Sequence, residues 1–137
     1  MSAPLLLDTC AVIWAATGCN AERLGEQLNE AHENRTPIWI SPSSSWEIGT
    51  LAATGRIRVA RPVLSWFEEI LTKSGAALAE LGPRVLVAST ELPDGINRDP
   101  ADRIIVATAR EYGLRVVTRD RNILNYAEKG HVMAMAC

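Results

Sequence analysis

Cysteine is scarce in this sequence: Cys10, Cys19 and Cys137 are an odd number with no Cys-x-x-Cys pair. That excludes a disulfide framework and a thiolate zinc site, and makes the reducing cytoplasm the expected location. Long hydrophobic runs are lacking too. The longest, Cys10 to Ala16, falls far short of the ~20 residues that a bilayer-spanning helix needs. Met1 to Leu7 has no basic region and meets Asp8 almost at once, unlike a secretory signal, so no membrane association is expected. There is also no excess of basic charge: 12 Arg and 2 Lys stand against 11 Glu and 5 Asp, for a formal net charge of -2. Indiscriminate nucleic-acid binding therefore has no electrostatic footprint. Repeats, linkers and low-complexity stretches are absent. At about 150 residues per domain, the 137 residues make one domain spanning 1–137.

What is present is an ordinary globular composition, 47% apolar and 22% charged. Short apolar runs alternate with longer stretches of helical spacing, the pattern of a parallel α/β sheet flanked by helices. Leu5-Leu6-Leu7, Ile38-Trp39-Ile40, Val85-Leu86-Val87, Val116-Val117-Thr118 and a weaker Val132-Met133-Ala134 read as strands. Ala21 to His32 reads as an amphipathic helix. Ser41-Pro42 opens a helix that Gly55 closes, and Pro62 to Thr72 carries an apolar stripe stopped by Ser74-Gly75. Asp99-Pro100 opens a helix through Tyr112 ended by Gly113, and Asp120 or Asn122 opens a last one through Glu128. The expected architecture is a three-layer α/β/α sandwich around a mostly parallel sheet of four or five strands. Trp14, Trp39 and Trp66 fall on apolar stripes and read as core; Trp46 stays open to a contact outside the core.

Strands of a parallel sheet all point one way, so residues just past them gather in one crevice. Asp8 follows the first strand and Asp120 lies just past the fourth. Asp99 and Asp102 begin the helix leading into the fourth, and Glu47 lies in the helix after the second. Each acid also has a purely structural explanation. Asp8, Asp99 and Asp120 precede helices and suit N-caps, most clearly Asp99, which with Asp102 resembles a capping box. Arg119 and Arg121 flank Asp120 as ion-pair partners, and Glu47 fits a solvated helix face. Taken together, converging carboxylates repel one another and must protonate or recruit a cation. An oxygen-only set favours Mg²⁺ or Mn²⁺, ions that activate water in phosphodiester hydrolysis.

Four motifs in this order resemble the PIN-domain family, most closely the VapC-type toxin ribonucleases. They are Leu5-Leu6-Leu7-Asp8-Thr9, Ser44-Ser45-Trp46-Glu47-Ile48, Asn97-Arg98-Asp99-Pro100-Ala101-Asp102-Arg103-Ile104-Ile105-Val106-Ala107 and Val116-Val117-Thr118-Arg119-Asp120. The resemblance spans nearly the whole chain. It implies an endoribonuclease that uses one or two Mg²⁺ or Mn²⁺ ions, forms a homodimer and is held inactive by a cognate antitoxin. Asp8, Glu47, Asp102 and Asp120 match the family's four acids and Asp99 an accessory acid. Thr9 and Thr118 match hydroxyl residues that orient a carboxylate or a water. Asn97 departs from the His common at that place, which touches local packing or substrate contacts rather than the acids. Arg98, Arg103, Arg119 and Arg121 neighbour the acids and suit either RNA phosphates or local ion pairs.

A phosphotransfer receiver would need an acidic pair after the first strand, an acceptor Asp after a central one and a late Lys after a strand. A haloacid-dehalogenase-type phosphatase would need Asp-x-Asp where Asp8-Thr9-Cys10 stands. No Walker or Rossmann glycine motif occurs. The remaining rival is a catalytically silent PIN-like module that binds RNA or protein.

Overall fold

A computed structural model describes residues 2–137. Strands β1 (Leu5–Leu7), β2 (Ile38–Ile40), β3 (Ala77–Leu78), β4 (Arg115–Thr118) and β5 (Met133–Ala136) form one sheet in the order β3-β2-β1-β4-β5, with every neighbouring pair parallel. Helices α1 (Thr9–Thr17) and α2 (Glu22–Glu33) join β1 to β2, and α3 (Pro42–Ala53) and α4 (Val63–Ser74) join β2 to β3. Helices α5 (Pro83–Thr90) and α6 (Pro100–Tyr112) lead to β4, and α7 (Arg121–Glu128) leads to β5.

The strands read as continuous apolar runs because both faces of the sheet are covered. Leu5, Leu7, Ile38, Ile40 and Val117 pack on one face with Val12, Leu24, Ile48, Phe67 and Ile70 of α1 to α4. Leu6 and Val116 face the other way, against Ile105, Val106 and Ala109 of α6 and Ile123 and Tyr126 of α7. Burial of each large side chain contributes about 1.5–3 kcal/mol. These two cores make the three expected layers. Trp14 and Trp66 pack against the first core and Trp39 against the second. No helix among the described residues is long and apolar enough to cross a membrane.

The sequence expectation fails for the third strand. Val85-Leu86-Val87 lies in α5, opened by Pro83 in its first turn; Val85 and Ser89 are buried one turn apart while Leu86 and Val87 are exposed. A short apolar triplet is ambiguous between strand and helix, and here the spacing of buried positions is helical. The observed β3 is a two-residue edge strand, Ala77–Leu78, with both residues exposed and too short for a strand period to show in the sequence. The helices announced by cap, proline and glycine signals stand close to where they were expected. Helix α6 runs from the Asp99 cap to Gly113, whose φ of 67° is the left-handed conformation that glycine adopts without strain.

The sheet order creates one point where successive connections leave in opposite directions. From β1 the chain proceeds to β2 and β3 on one side, whereas β4 and β5 lie on the other. The carboxyl ends of β1 and β4, which are hydrogen-bonded neighbours, therefore flank the crevice in which open α/β sheets bind ligands.

Candidate active site

Asp8 and Asp120 stand at that switch point. The register pairs Leu7 with Val117, so Asp8 and Thr118 are the next residues along the adjacent strands. Thr118 is fully buried; its hydroxyl donates to Asp8 Oδ2 at 2.5 Å and accepts the Asp120 N–H at 2.9 Å. One hydroxyl thus ties together the acids that follow β1 and β4.

Three of the acids are also helix caps. Asp8 Oδ1 accepts the Ala11 N–H at 2.8 Å, Asp99 Oδ1 the Ala101 N–H at 3.0 Å and Asp120 Oδ1 the Ile123 N–H at 3.1 Å. Capping and clustering are compatible because α1 and α7 begin at the carboxyl edge of the sheet, and their N-terminal dipoles offset part of the negative charge. Asp102 lies in the first turn of α6, where its Oδ2 accepts a 3.0 Å bond from Asn97 Nδ2. Asn97, the departure from the family pattern, thus holds an acid of the cluster, and its Oδ1 also accepts the Asp99 N–H at 3.2 Å. Glu47 is partly exposed in the second turn of α3, and Asp99 lies exposed at the edge of the group.

The acids lie within electrostatic reach of one another. Burial raises the Asp8 carboxyl above its ordinary value; bonds from Thr118 and Ala11 oppose the rise, and the charges of Asp120 and Glu47 add to it. Burial likewise pushes Asp102 up to about 6, opposed by Asn97 and reinforced by Asp120, Asp99 and Glu47. Cys10 feels Asp8, Glu47, Asp102 and Asp120 together; with desolvation as the largest cause, its thiol is pushed up to about 11.

Neither histidine belongs to this group of acids: His131 pairs with Asp94 at 3.0 Å and His32 lies against Gly75. The donors are carboxylate oxygens, which suit a hard divalent ion that keeps several of its waters. Among the described residues no three His, Cys, Asp or Glu side chains stand together closely enough to hold a metal ion as they are placed. Asp8, Asp102 and Asp120 each commit an oxygen to a local donor, which holds like charges apart.

The four arginines separate into two pairs. Arg103 donates to the carbonyls of Ser89 at 2.8 Å, Asn97 at 3.2 Å and Ile96 at 3.4 Å, pinning the loop before α6. Arg119 lies 3.9 Å over the Trp14 ring and donates to the carbonyls of Cys137, at 2.8 Å, and Asn20. Both guanidinium groups are committed to the fold. Arg98 and Arg121 are exposed beside the acids, and no ion pair engages them among the described residues.

Thr9 does not face a carboxylate: its hydroxyl bonds the Ser44 hydroxyl at 3.0 Å. Ser44 has no role in the sequence reading, and its position three residues before Glu47 is the one local signal that points to it. Trp46, beside Glu47, is 60% exposed, unlike the other three tryptophans.

Residues 5–129 match the PIN domain. The chain is 33% identical over 122 residues to Ribonuclease VapC22 of Mycobacterium tuberculosis, covering 89% of this chain and 91% of that protein. Its fold is similar to VapBC2 from Rickettsia felis bound to a DNA fragment from its promoter (TM-score 0.69, 14% identity, 96% and 97% of the two chains). It is also similar to FitAcB from Neisseria gonorrhoeae (TM-score 0.60, 19% identity, 96% of each chain). With the domain match spanning residues 5–129 and a relative 33% identical over 89% of its length, this chain belongs to the PIN-domain family.

Proposed function

We propose that this chain is a metal-dependent endoribonuclease, the toxin of a toxin–antitoxin pair, restrained by a cognate antitoxin and working in the cytoplasm as a homodimer. The observation that carries the reading is the set of carboxylates around the β1/β4 switch point, of which Asp8 and Asp102 are raised by burial first and also by the charges of Asp120 and Glu47. Its similarity to VapC22 supports RNA as the substrate.

Asp8, Glu47, Asp102 and Asp120 are the residues to hold one or two Mg²⁺ or Mn²⁺ ions, with Asp99 accessory. When bound, such an ion would supply activation of water and stabilisation of the leaving oxygen in phosphodiester hydrolysis, the chemistry that would leave a 5′-phosphate and a 3′-hydroxyl. The chain's own residues do the rest. Thr118 and Asn97 fix the Asp8 and Asp102 carboxylates by hydrogen bonds. Arg98 and Arg121 meet flanking phosphates, which a chain of net charge -2 must do locally. Trp46 offers an exposed ring for base stacking.

The test is RNA cleavage by the purified chain with Mg²⁺ or Mn²⁺ and no antitoxin, beside Asp8→Asn and Glu47→Gln. The expected result is cleavage by the wild type, abolished by EDTA and by either substitution. A wild type that cleaves no RNA, or cleavage that survives both substitutions unchanged, overturns the reading.

A further inference from the structure

The serines at the start of α3 are not equivalent. Ser41 caps the helix by accepting the Ser43 N–H at 3.1 Å, and its hydroxyl bonds that of Ser43 at 2.8 Å. Ser45 donates to the Pro42 carbonyl at 2.6 Å. These bonds close within the first turn. Ser44 alone reaches another element, bonding Thr9 in the first turn of α1 at 3.0 Å across 35 positions of sequence. Both partners are buried, Ser44 at 0% and Thr9 at 4% exposure.

Each hydroxyl sits close in sequence to an acid of the site. Thr9 directly follows Asp8, and Ser44 precedes Glu47 by three residues, the spacing that puts two side chains on one face of a helix. Asp8 and Glu47 are both acidic side chains, so the distance between them matters to a cation held by both. Apolar packing of Val12 and Ile48 holds the two helices against the sheet but has no directional preference. A buried hydrogen bond between their first turns is directional and fixes how far apart the two helix starts stand.

We propose that Thr9 and Ser44 are a pair of positioning residues that set the separation of the Asp8 and Glu47 carboxylates for the bound cation. The pair touches neither substrate nor ion; it acts through the helices it joins. The proposal rests on the metal-site reading given above and adds to it the device that spaces two of the ligands.

The experiment compares Thr9→Val, Ser44→Ala, the double variant and the conservative Thr9→Ser. Mn²⁺ affinity is measured by titration with electron paramagnetic resonance, alongside thermal melting and kcat and KM for RNA cleavage. Expected is a loss of Mn²⁺ affinity of about ten- to a hundredfold in each single variant, the range for groups that orient metal ligands. A double variant no worse than either single, a fall in kcat with KM unchanged, and near-wild-type affinity in Thr9→Ser complete the expected result. Should Thr9→Val fail to fold, Ser44→Ala carries the test, because capping of α3 is left to Ser41.

Wild-type Mn²⁺ affinity and kcat in both single variants, with only the melting temperature lowered, overturn the proposal: the pair is then structural and the ribonuclease reading stands. Additive losses in the double variant overturn it as well. A wild type that binds Mn²⁺ but cleaves no RNA sinks the ribonuclease reading while the Mn²⁺ titration still decides the pair's role. A wild type that binds no Mn²⁺ overturns both.

Discussion

Thr118 and Asp8 share a 2.5 Å hydrogen bond across the β1/β4 step, between residues 110 positions apart in sequence. The same Thr118 oxygen accepts the Asp120 N–H, so a single buried hydroxyl serves the two acids at the switch point. Thr118→Val keeps the shape and removes both interactions, leaving a buried carboxylate oxygen and a backbone donor without partners. That costs about 1–3 kcal/mol, a drop in melting temperature of roughly 3–10 °C for a chain of this size. Thr118→Ser is expected to melt close to the wild type. Equal melting of the Val variant and the wild type would show that the bond contributes nothing.

The Asp102 carboxyl yields a pH dependence. It holds its proton up to about pH 6 in the folded chain, against an ordinary value of 3.8. Between those values the folded state binds more protons than the unfolded state, so this group's contribution to stability falls as pH rises across that window. With solvent screening at this half-buried position, the loss is about 1 kcal/mol. Asp102→Asn removes the charge, and urea denaturation of the metal-free protein is expected to find it more stable than wild type at pH 7 and nearly equal to it below pH 4. A less stable variant at pH 7 contradicts the raised carboxyl.

Much of this site is legible in the sequence because Asp8 and Asp120 stand just past apolar strands and Asp99-Pro100 opens a helix by a local signal. Such signals need only neighbours in the chain. The same dependence on neighbours makes Val85–Val87 read as a strand: a triplet of apolar residues does not carry its own period, and Leu86 and Val87 are exposed. Strand β3 is invisible because it is two exposed residues long and joins Trp39 and Ile40 of β2 only backbone to backbone. The contacts that organise the site are long-range: Arg119 reaches Asn20 across 99 positions and Thr9 reaches Ser44 across 35. Nothing in the motif Thr118-Arg119-Asp120 tells that the arginine turns back onto Trp14 rather than out toward a phosphate.

Metal ions are expected to reverse the strain among the acids. A ligand that binds only the folded state stabilises it by about 2.7 kcal/mol at a hundred times its dissociation constant. Saturating Mn²⁺ or Mg²⁺ is thus expected to raise the wild-type melting temperature by roughly 10 °C and to leave Asp8→Asn nearly unmoved. Ca²⁺ and Na⁺ at matched ionic strength separate site binding from screening. An equal rise in the Asp8→Asn variant would place the ion elsewhere.

The two pairs of arginines should separate experimentally. Arg103→Ala loses its bonds to the carbonyl of Ser89 in α5 and to the loop carbonyls of Ile96 and Asn97, and is expected to lower the melting temperature; Arg98→Ala and Arg121→Ala should leave it unchanged. RNA binding by a cleavage-deficient Glu47→Gln background reads the other side. Each exposed arginine that meets a phosphate reduces the slope of log affinity against log salt by about 0.7 when removed. Unaltered salt slopes in both variants would exclude them from the RNA interface.

Trp46 is the exposed tryptophan, 60% exposed one residue from Glu47, while Trp14, Trp39 and Trp66 pack against the cores. Stacking on one base contributes about 1–3 kcal/mol, so Trp46→Ala is expected to raise KM for RNA roughly tenfold with kcat and melting temperature little changed. Trp46→Phe, which keeps a ring, should recover most of the loss. If RNA does contact the indole, its fluorescence is quenched on titration of the Glu47→Gln variant, and that quenching disappears when Trp46 is also replaced by Phe. An unchanged KM together with a shift from dimer to monomer in Trp46→Ala would instead assign the ring to the contact between two copies of the chain. The two outcomes differ because stacking acts on RNA affinity alone, whereas a subunit contact acts on the concentration dependence of the protein itself.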